Sequence, residues 1–559
     1  MRSGRLTMAV MAMVTVGASH VAAQATPARG APAADIERLI DEGMRRSKVM
    51  EHIGHLTDRI GPRLPASPGM RRAREWATAT FEGWGIPVRV ESFGPFGRGW
   101  SLERFSVALA APYVRPLLGW PSAWSPPTNG AVTGEVVYLD LSDRGKALRD
   151  KDARAFDGRI VLLSEERPAT PEFAPLARRF DDSRLLEFAN HIPPSGDGAR
   201  RTMPDTADPM IRTMLRQLGA QGVLIGAKPL AVVENSMRGS GGMVMVHSAP
   251  VIGADAATMR SANGAFGAWL PASAPFVFPS VTLAGDDYNH LVRLAKRGER
   301  PRLTLDIGAR YHDDDPMGHN VIAEIPGSDP ALRGEVVMLG AHLDSWHAGT
   351  GATDNGAGVA VVMEAMRLLK ATGLAPRRTI RAALWDAEEQ GLFGSRAYVE
   401  RHFAVLAEPG RDSGVVPTRR PDHDRLSAYF NIDNGTGRVR GLYLMGNETV
   451  RPIFAEWLRP FAAHGASTLS LLSRAGSDHV SFDRVGLPGF GFMQDPIEYE
   501  TRTHHTNLDV ADRIVPDDLA QAATIMAAFV YNTAMMDERL PRKPAPASLP
   551  ARPSRGRAR

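Results

Sequence analysis

Residues 335–398 contain several side chains that can serve as metal ligands, and further such side chains occur at two places later in the chain. They are His342, Asp354, Glu389, Asp433 and His505. Two imidazoles and three carboxylates can hold two zinc ions if one carboxylate bridges them, which leaves each ion an open position. Asp354 is the natural bridge, because the glycine-rich loop 351–358 lets the backbone approach closely. Asp344 follows His342 by two residues on the same face of an extended chain, so we expect it to orient that imidazole.

Each of these residues taken alone has an ordinary structural interpretation. Single His-x-Asp and Glu-Glu pairs are more often solvated turns than sites. Four other histidines are interpreted as surface or hydrogen-bonded structural residues: His347, His402, His464 and His479. A functional site is nevertheless favoured, because the candidates fall independently at the ends of three predicted strands and in one loop. Such a joint occurrence is improbable for residues without a common role.

The elements that must position these residues form a strand, helix, strand unit. Residues 336–341 and 380–385 are apolar runs of strand length, typical of strands buried on both faces. Between them, apolar residues in 359–369 recur at helical spacing, and Gly373 predicts the end of the helix. Such a crossover makes the two strands parallel and collects ligands beyond their carboxyl ends. The sequence therefore predicts an α/β fold with a doubly wound, mostly parallel sheet.

Other segments extend this α/β pattern on both sides. Residues 426–432 and 487–493 are predicted to be further strands, and 516–536 a long helix. Residues 34–56 are predicted to be one helix, and Ser67 is predicted to cap another that begins at Pro68. These assignments are read from apolar spacing and turn residues in the sequence.

The middle of the chain has a different sequence pattern, in which short predicted strands are separated by Gly and Pro. It predicts a β-rich domain at 130–300, inserted between an amino-terminal part (34–129) and the main part (310–540) of the α/β domain. The two flanking parts are expected to pack together. Within the insertion, 165–209 has few apolar residues, which favours a surface excursion or a lid.

The first 25 residues have the features of a signal peptide. Arg2 and Arg5 precede an apolar run at 6–18, which is too short for a stable membrane anchor. Cleavage after Ala23 and cleavage after Ala25 both fit the small-residue rule. The absence of cysteine excludes disulfides and a lipid-modified cysteine. We therefore expect an exported protein, periplasmic or extracellular, with no membrane anchor after cleavage.

The basic isoelectric point of about 9.3 comes largely from the two ends of the chain. Eight positive charges lie in the signal peptide and in 541–559, a Pro-, Ala- and Arg-rich tail that is predicted to be disordered. Removing these eight from the net charge of +4 leaves −4 on the rest of the chain. The charge therefore does not favour nucleic-acid binding.

Several short segments together resemble metallopeptidase family 28, the co-catalytic di-zinc exopeptidases. They are LTDRIGPRLPASPG, GAHLDSW, TDNGAG, WDAEEQGLFGS, NIDNG and HHTNLD. HLDSW together with HHT resembles the plasma glutamate carboxypeptidase (carboxypeptidase Q) branch of the family. The resemblance covers essentially the whole mature chain. It implies a zinc exopeptidase-like fold in which the insertion is similar to a protease-associated domain.

The resemblance also implies roles for individual residues. One zinc ion would be bound by His342 and Asp433, the other by Glu389 and His505, and both by Asp354. Glu388 would be the general base, and the peptide bond after Asp354 is expected to be cis. His504 stands where many family members have an aromatic hydroxyl, so the group that stabilises the oxyanion is left open. Asp478 lies in a segment that matches the family near the substrate, and it is a candidate for substrate binding together with His504.

The leading interpretation is a secreted zinc exopeptidase that is carboxypeptidase Q-like, carries two zinc ions per chain and cleaves terminal bonds of short peptides or dipeptides. A carboxypeptidase needs a cation for the terminal carboxylate, and Arg474 and Arg502 lie near the presumed site. An aminopeptidase instead needs acidic or carbonyl acceptors, and it remains the alternative. A non-catalytic binding protein on a peptidase scaffold would lack ligands, and a single-zinc enzyme of related fold would bind one metal. Whether the chain forms a homodimer is open.

Overall fold

The computed structural model describes residues 30–140, 153–167, 171–192, 219, 222–239, 241–252, 267–405 and 417–543. The predicted signal peptide, part of segment 165–209 and residues 544–559 of the tail lie outside these ranges. Among the residues described, no helix is long and apolar enough to cross a membrane.

Helices and strands alternate through the described chain. The helices are α1 (Ala33–Arg45), α2 (Val49–Gly54), α3 (Pro68–Gly83), α4 (Asp182–Ala189), α5 (Gly285–Lys296), α6 (Ala357–Ala371), α7 (Phe393–His402), α8 (Arg451–Leu458), α9 (His479–Asp483) and α10 (Pro516–Met535). The strands are β1 (Val88–Phe93), β2 (Gly99–Ala111), β3 (Arg115–Pro116), β4 (Gly119–Pro121), β5 (Val132–Tyr138), β6 (Ile160–Leu162), β7 (Ala231–Asn235), β8 (Ser280–Leu283), β9 (Arg302–His312), β10 (Gly318–Ile325), β11 (Val336–His342), β12 (Thr379–Trp385), β13 (Ala404–Val405), β14 (Thr418–Arg419), β15 (Leu426–Asn431), β16 (Val439–Tyr443), β17 (Thr468–Ser470) and β18 (Gly489–Gln494).

One eight-stranded sheet carries the metal-capable residues. Its order is β1-β10-β12-β11-β15-β18-β16-β17, and its centre, β12-β11-β15-β18, is parallel. β11, α6 and β12 form the predicted crossover unit. Every residue of β11 and β15 is buried, because helices cover both faces of the sheet. The predicted α/β fold with a mostly parallel central sheet is confirmed.

The amino-terminal helix prediction is wrong in one respect. The expected single helix at 34–56 breaks between α1 and α2, at residues 46–48. The buried carboxylate of Glu364 accepts a hydrogen bond from the Lys48 backbone N–H at 2.9 Å. This contact with α6 satisfies an amide at the start of α2, so tertiary packing overrides the helical periodicity. Ser67 caps α3 as predicted, since its hydroxyl accepts from the Met70 N–H at 3.1 Å.

A second eight-stranded sheet has the order β3-β2-β9-β5-β6-β7-β8-β4. Along the chain, its strands come between β1 and β10 of the first sheet. We call the described residues from 99 to 312 the second lobe. The predicted boundaries at 130 and 300 are too narrow, because β2 and β9 pair along most of their length and bring both flanks into this sheet. The flanking parts of the α/β domain do pack together: β1 pairs with β10, with Val88 opposite Ala323.

Residues 171–192, the longer described part of the predicted surface excursion, lie against the domain of the first sheet. Arg178 exchanges two backbone hydrogen bonds with Ile497, at 3.0 and 2.9 Å. Leu185 and Phe188 of α4 pack on Tyr443 at the end of β16. This segment is therefore an anchored strap of the second lobe beside the carboxyl ends of the central strands.

Residues 541–543 differ from the predicted disordered tail. Pro541 accepts a hydrogen bond from the Asn447 amide at 2.8 Å, and the Arg542 guanidinium donates to the His423 carbonyl oxygen at 2.8 Å. These contacts hold the start of the tail on the folded body.

Candidate active site and metal centre

The carboxyl ends of three neighbouring parallel strands bring the predicted ligands together. β11 ends at His342, the turn after β12 carries Glu389, and Asp433 follows β15. β11 lies between the other two strands and pairs with both in parallel register. Strand order therefore places these three side chains side by side at one edge of the sheet, as the sequence predicted.

Asp354 lies between two groups of these ligands. His342 Nε2 is 3.3 Å from Asp433 Oδ1 and 3.4 Å from Asp354 Oδ1. On the other side, His505 Nε2 is 2.9 Å from Glu389 Oε2 and 3.3 Å from Asp354 Oδ2. Each oxygen of Asp354 thus faces a different imidazole, the arrangement expected of a bridging carboxylate. The peptide bond between Asp354 and Asn355 is cis, as the resemblance implies.

The residues present fit metal ions. Asp354 Oδ2 and Glu389 Oε1 are buried and have no hydrogen-bond partner among the described residues. Burial raises the pKa of Glu389 well above its ordinary range, and the Asp354 charge adds to this effect. The pKa of Asp354 is lowered. Burial acts to raise it, but the hydrogen bond to His342 and the nearby imidazoles of His505 and His504 have the larger combined effect. Buried carboxylates grouped with imidazoles are stabilised by a cation, so the donor set suits zinc.

Asp344 contacts His342, as expected, and its side chain has a second contact as well. The His342 Nδ1–H donates to the backbone oxygen of Asp344 at 3.0 Å, and the Asp344 carboxylate is 3.5 Å from the same nitrogen. The carboxylate instead accepts hydrogen bonds from the backbone N–H groups of Glu388 and Glu389, at 3.2 and 3.3 Å. Asp344 therefore orients the imidazole with its backbone and the glutamate pair with its side chain.

Glu388 lines the same cavity, but the glutamate that lies 2.9 Å from His505 is Glu389. Burial raises the pKa of its carboxyl well above the ordinary range; His342 opposes this shift, and Asp433 and Asp478 add to it. A glutamate with a raised pKa that is not itself a ligand is suited to proton transfer. The adjacent Glu388 and Glu389 thus have different neighbours, and their separate roles as base and ligand stay a prediction.

Three supporting residues were missed from the sequence. Arg63 is fully buried, and its guanidinium donates to the backbone oxygens of Leu343, Gly61, Thr350 and Gly351, at 2.8 to 3.0 Å. Asp509 accepts from the Thr353 and Asp354 N–H groups at 2.6 and 3.2 Å. The Trp346 indole N–H donates to Glu389 Oε2 at 2.9 Å. All three lie in the quoted motifs, but neither spacing nor residue type distinguished them from structural side chains.

The loop that carries His505, residues 502–509, is fastened to the second lobe. The Val246 N–H donates to the His505 carbonyl oxygen at 2.9 Å, and the Val244 N–H donates to Asn507 Oδ1 at 2.8 Å. We call 502–509 the histidine loop. Its position depends on segment 244–246, which is more than 250 residues away in the chain.

A cavity of about 460 Å³ opens onto the candidate ligands. The residues that line it include Arg474, Tyr443, Glu500 and His504. Arg502 does not line it and instead pairs with Glu498 at 3.1 Å. His504 thus faces the cavity as predicted.

Asp478 does not line the cavity, although its two neighbours in the chain do. It is fully buried, and burial raises its pKa to about 7. This position contradicts the prediction that Asp478 contacts substrate.

The histidines interpreted as structural are placed accordingly. His347 bonds to the Pro121 carbonyl oxygen at 2.8 Å, and His402 lies 2.8 Å from the Glu91 carboxylate. His479 Nε2 is 2.7 Å from the carbonyl oxygen of Arg474, so it holds the loop that brings Arg474 to the cavity. His464 is partly exposed.

The fold and the site together define a metallohydrolase architecture: imidazoles and carboxylates at the carboxyl ends of parallel strands, with a separate buried glutamate at the cavity wall. Residues 320–530 match the model of peptidase family M28, and this stretch contains all five candidate ligands and Glu388. Residues 320–530 of the chain thus form a region like peptidase family M28, and relatives named carboxypeptidase Q support a likeness to that branch of the family.

Relatives and a solved structure show how far this likeness extends. Carboxypeptidase Q of Mus musculus is 32% identical over 265 residues, 47% of this chain and 52% of the mouse protein. Carboxypeptidase Q of Bos taurus is 26% identical over 525 residues, 92% of this chain and 91% of the bovine protein. The first of these matches thus spans about half of the relative's length. The structure of a peptidase M28 precursor from Shewanella amazonensis shares the fold, with a TM-score of 0.63 and 22% identity over 91% of this chain and 98% of that one.

Proposed function

We propose that the protein is an exported zinc-dependent exopeptidase, carboxypeptidase Q-like, that hydrolyses a terminal peptide bond of dipeptides and other short peptides. The observation that supports this most strongly is the grouping of the donor set around Asp354, with Glu388 at the wall of the same cavity. The arrangement of that donor set supports two zinc ions per chain. One would be held by His342 and Asp433, the other by Glu389 and His505, and both by Asp354.

Bound zinc supplies Lewis acidity, which polarises a carbonyl group and lowers the pKa of water. The chain itself supplies the proton transfers. Glu388 would accept a proton from the attacking water and give it to the leaving nitrogen as the C–N bond breaks. Asp344 fixes the backbone of Glu388, so the carboxylate is aimed before substrate arrives.

Arg474 supports recognition of a free carboxylate. Among the described residues that line the cavity, Arg474 is the one lysine or arginine. Its guanidinium is 3.9 Å from the Glu500 carboxylate, which is a loose ion pair. Glu500 is held more closely by Arg238, at 2.7 Å. Arg238 therefore balances most of the charge of Glu500. Arg474 is then available to bind the terminal carboxylate of a peptide.

An aminopeptidase is the second candidate, and Glu500 favours it, because its carboxylate also lines the cavity and could accept a terminal ammonium. A dipeptide panel with either end blocked distinguishes the two. We expect cleavage to survive acetylation of the amino end and to be lost on amidation of the carboxyl end. The reverse result would establish the aminopeptidase.

Metal analysis of the same preparation tests the class of protein. We expect two zinc ions per chain and no hydrolysis after chelation. A stoichiometry near one would favour a single-zinc enzyme, and two zinc ions with no hydrolysis of any dipeptide would favour a binding protein. Amino-terminal sequencing of the protein recovered outside the cytoplasm would test export and choose between cleavage after Ala23 and after Ala25.

A further inference from the structure

His504 faces the candidate metal ligands without joining them. Its ring lies 3.8 Å, centroid to centroid, from the ring of His505, and it lines the cavity. Its Nε2 is 3.8 Å from Asp354 Oδ2, beyond hydrogen-bonding distance. Nε2 thus lies on the side of the ring that faces the candidate ligand Asp354, beside the cavity.

The opposite nitrogen of His504 contacts a residue of the second lobe. Arg238 Nη1 lies 3.0 Å from His504 Nδ1 and 2.7 Å from Glu500 Oε2. A guanidinium can only donate hydrogen bonds, so Nδ1 must accept. In a neutral imidazole the proton is then on Nε2, the nitrogen that faces the cavity.

This tautomer excludes His504 from metal binding. A protonated Nε2 has no lone pair for a metal, and the lone pair of Nδ1 is occupied by Arg238. His342 shows the reverse pattern, because its Nδ1–H donates to the Asp344 carbonyl oxygen and leaves Nε2 free to bind. Although His504 lies close enough to Asp354 and His505 to form a metal-binding group with them, its hydrogen bonding makes it a donor.

We propose that His504 donates a hydrogen bond from Nε2 to the carbonyl oxygen of the scissile bond, and that Arg238 of the second lobe is a positioning residue that holds His504 in this tautomer. The inference rests on the proposed peptidase function. When water adds to the carbonyl carbon, the electron pair of the C=O double bond moves to oxygen, which becomes negatively charged. His504 stabilises this charge without giving up its proton. The water proton goes to Glu388 and then to the leaving nitrogen.

The test uses the full-length zinc protein with a dipeptide substrate. Removing one donor to an oxyanion typically lowers kcat by about 100- to 1,000-fold, and we expect this of His504→Ala, with KM and zinc content nearly unchanged. In His504→Gln the side-chain amide places an N–H near the position of Nε2, so we expect at least a roughly tenfold recovery of kcat over the alanine variant.

Arg238→Met should lower kcat by about tenfold without loss of zinc, because the imidazole loses its anchor. Arg238→Lys keeps a donor and should lose less. In the His504→Ala background, Arg238→Met should have no further effect, since Arg238 acts through His504. Arg300→Met is the matched control, because Arg300 is an exposed arginine of the second lobe that pairs with Glu135 and does not line the cavity.

Three results would overturn the proposal. Loss of zinc from both His504 variants would make His504 a ligand. A raised KM at constant kcat would limit its role to substrate binding. An undiminished effect of Arg238→Met in the His504→Ala background would show that Arg238 acts elsewhere. If instead the unmodified protein binds two zinc ions and hydrolyses no dipeptide, the proposed function fails first and this inference fails with it.

Discussion

Two regions of different construction hold four of the five candidate ligands. His342 is the last residue of a central parallel strand, and Glu389 and Asp433 lie in the turns that follow its two parallel neighbours. His505 lies in the histidine loop, which follows β18 and is fastened by hydrogen bonds to segment 244–246. The strand-end region is thus built within one domain, whereas the loop depends on the contact between two.

This difference suggests a division of labour. A strand end that is buried in a parallel sheet has little freedom, which suits ligands that must be in place before a metal arrives. A loop held by a few hydrogen bonds can be displaced if the second lobe moves. The two regions should therefore respond differently to substitution and to metal removal.

The largest expected effect lies in the strand-end region. Glu388→Gln removes the proton acceptor while keeping the size of the side chain, so kcat on a dipeptide should fall by about 100- to 10,000-fold. Zinc content should stay at that of the unmodified protein. Loss of zinc with activity regained at saturating zinc would show that the roles of Glu388 and Glu389 are reversed.

Glu389→Gln should instead weaken metal binding. Substituting a partner that only supports a ligand typically costs about 10- to 100-fold in metal affinity, and loss of the ligand itself should cost at least as much. Zinc titration should therefore show one weakened site, and added zinc should restore part of the activity. An unchanged zinc affinity would remove Glu389 from the ligand set.

Asp344→Asn tests how the turn after β12 is held. An asparagine oxygen can replace only one carboxylate oxygen, and its NH₂ group then faces the second backbone N–H. We expect a loss of about 10- to 100-fold in kcat, zinc affinity or both. A variant with full activity and full zinc affinity would show that the strand end itself holds the glutamates without this carboxylate.

Asn507→Ala tests the fastening of the histidine loop. It removes the hydrogen bond from the Val244 N–H, which is worth about 0.5 to 1.5 kcal/mol, or roughly two- to tenfold in zinc affinity at the site that includes His505. Asn447→Ala is the control, since Asn447 is a buried asparagine outside the histidine loop whose amide bonds to Pro541 instead. Equal effects of both variants on zinc affinity would contradict a special role for the lobe contact.

Metal removal should produce the smallest and most local change. After chelation, backbone amides at 503–507 should exchange with solvent faster, because the loop loses its metal contact while the lobe contacts remain. Amides of β11 should change little, since strand pairing protects them without metal. Hydrogen exchange with mass spectrometry measures both segments in one experiment, and equal deprotection would show that the two regions are not distinct.

The strand-end ligands could be predicted because burial and chemistry change at the same point in the sequence. Residues 336–341 and 380–385 are apolar and of strand length, and each is followed directly by metal-capable side chains. A parallel crossover then brings the strand ends together. The Asp344 carboxylate was predicted less accurately, because the position of residues 388 and 389 relative to it depends on a turn whose geometry no local pattern specifies.

The limits of the second lobe were missed for a related reason. β2 and β9 each present a partly exposed face, so their composition resembles that of other strands at a domain surface. The break between α1 and α2 was also missed, because the amide that it frees is satisfied by Glu364, more than 300 residues away. Local periodicity contains no information about such a partner.

Residue types and their order along the chain determined which side chains could bind zinc and transfer a proton, because ligand chemistry and strand ends are local properties. The docking of the second lobe decided which nitrogen of His504 accepts a hydrogen bond from Arg238, how His505 is held and which cation pairs with Glu500. Each of these depends on a hydrogen bond or an ion pair between distant segments, and such contacts exist only once both domains have folded against each other.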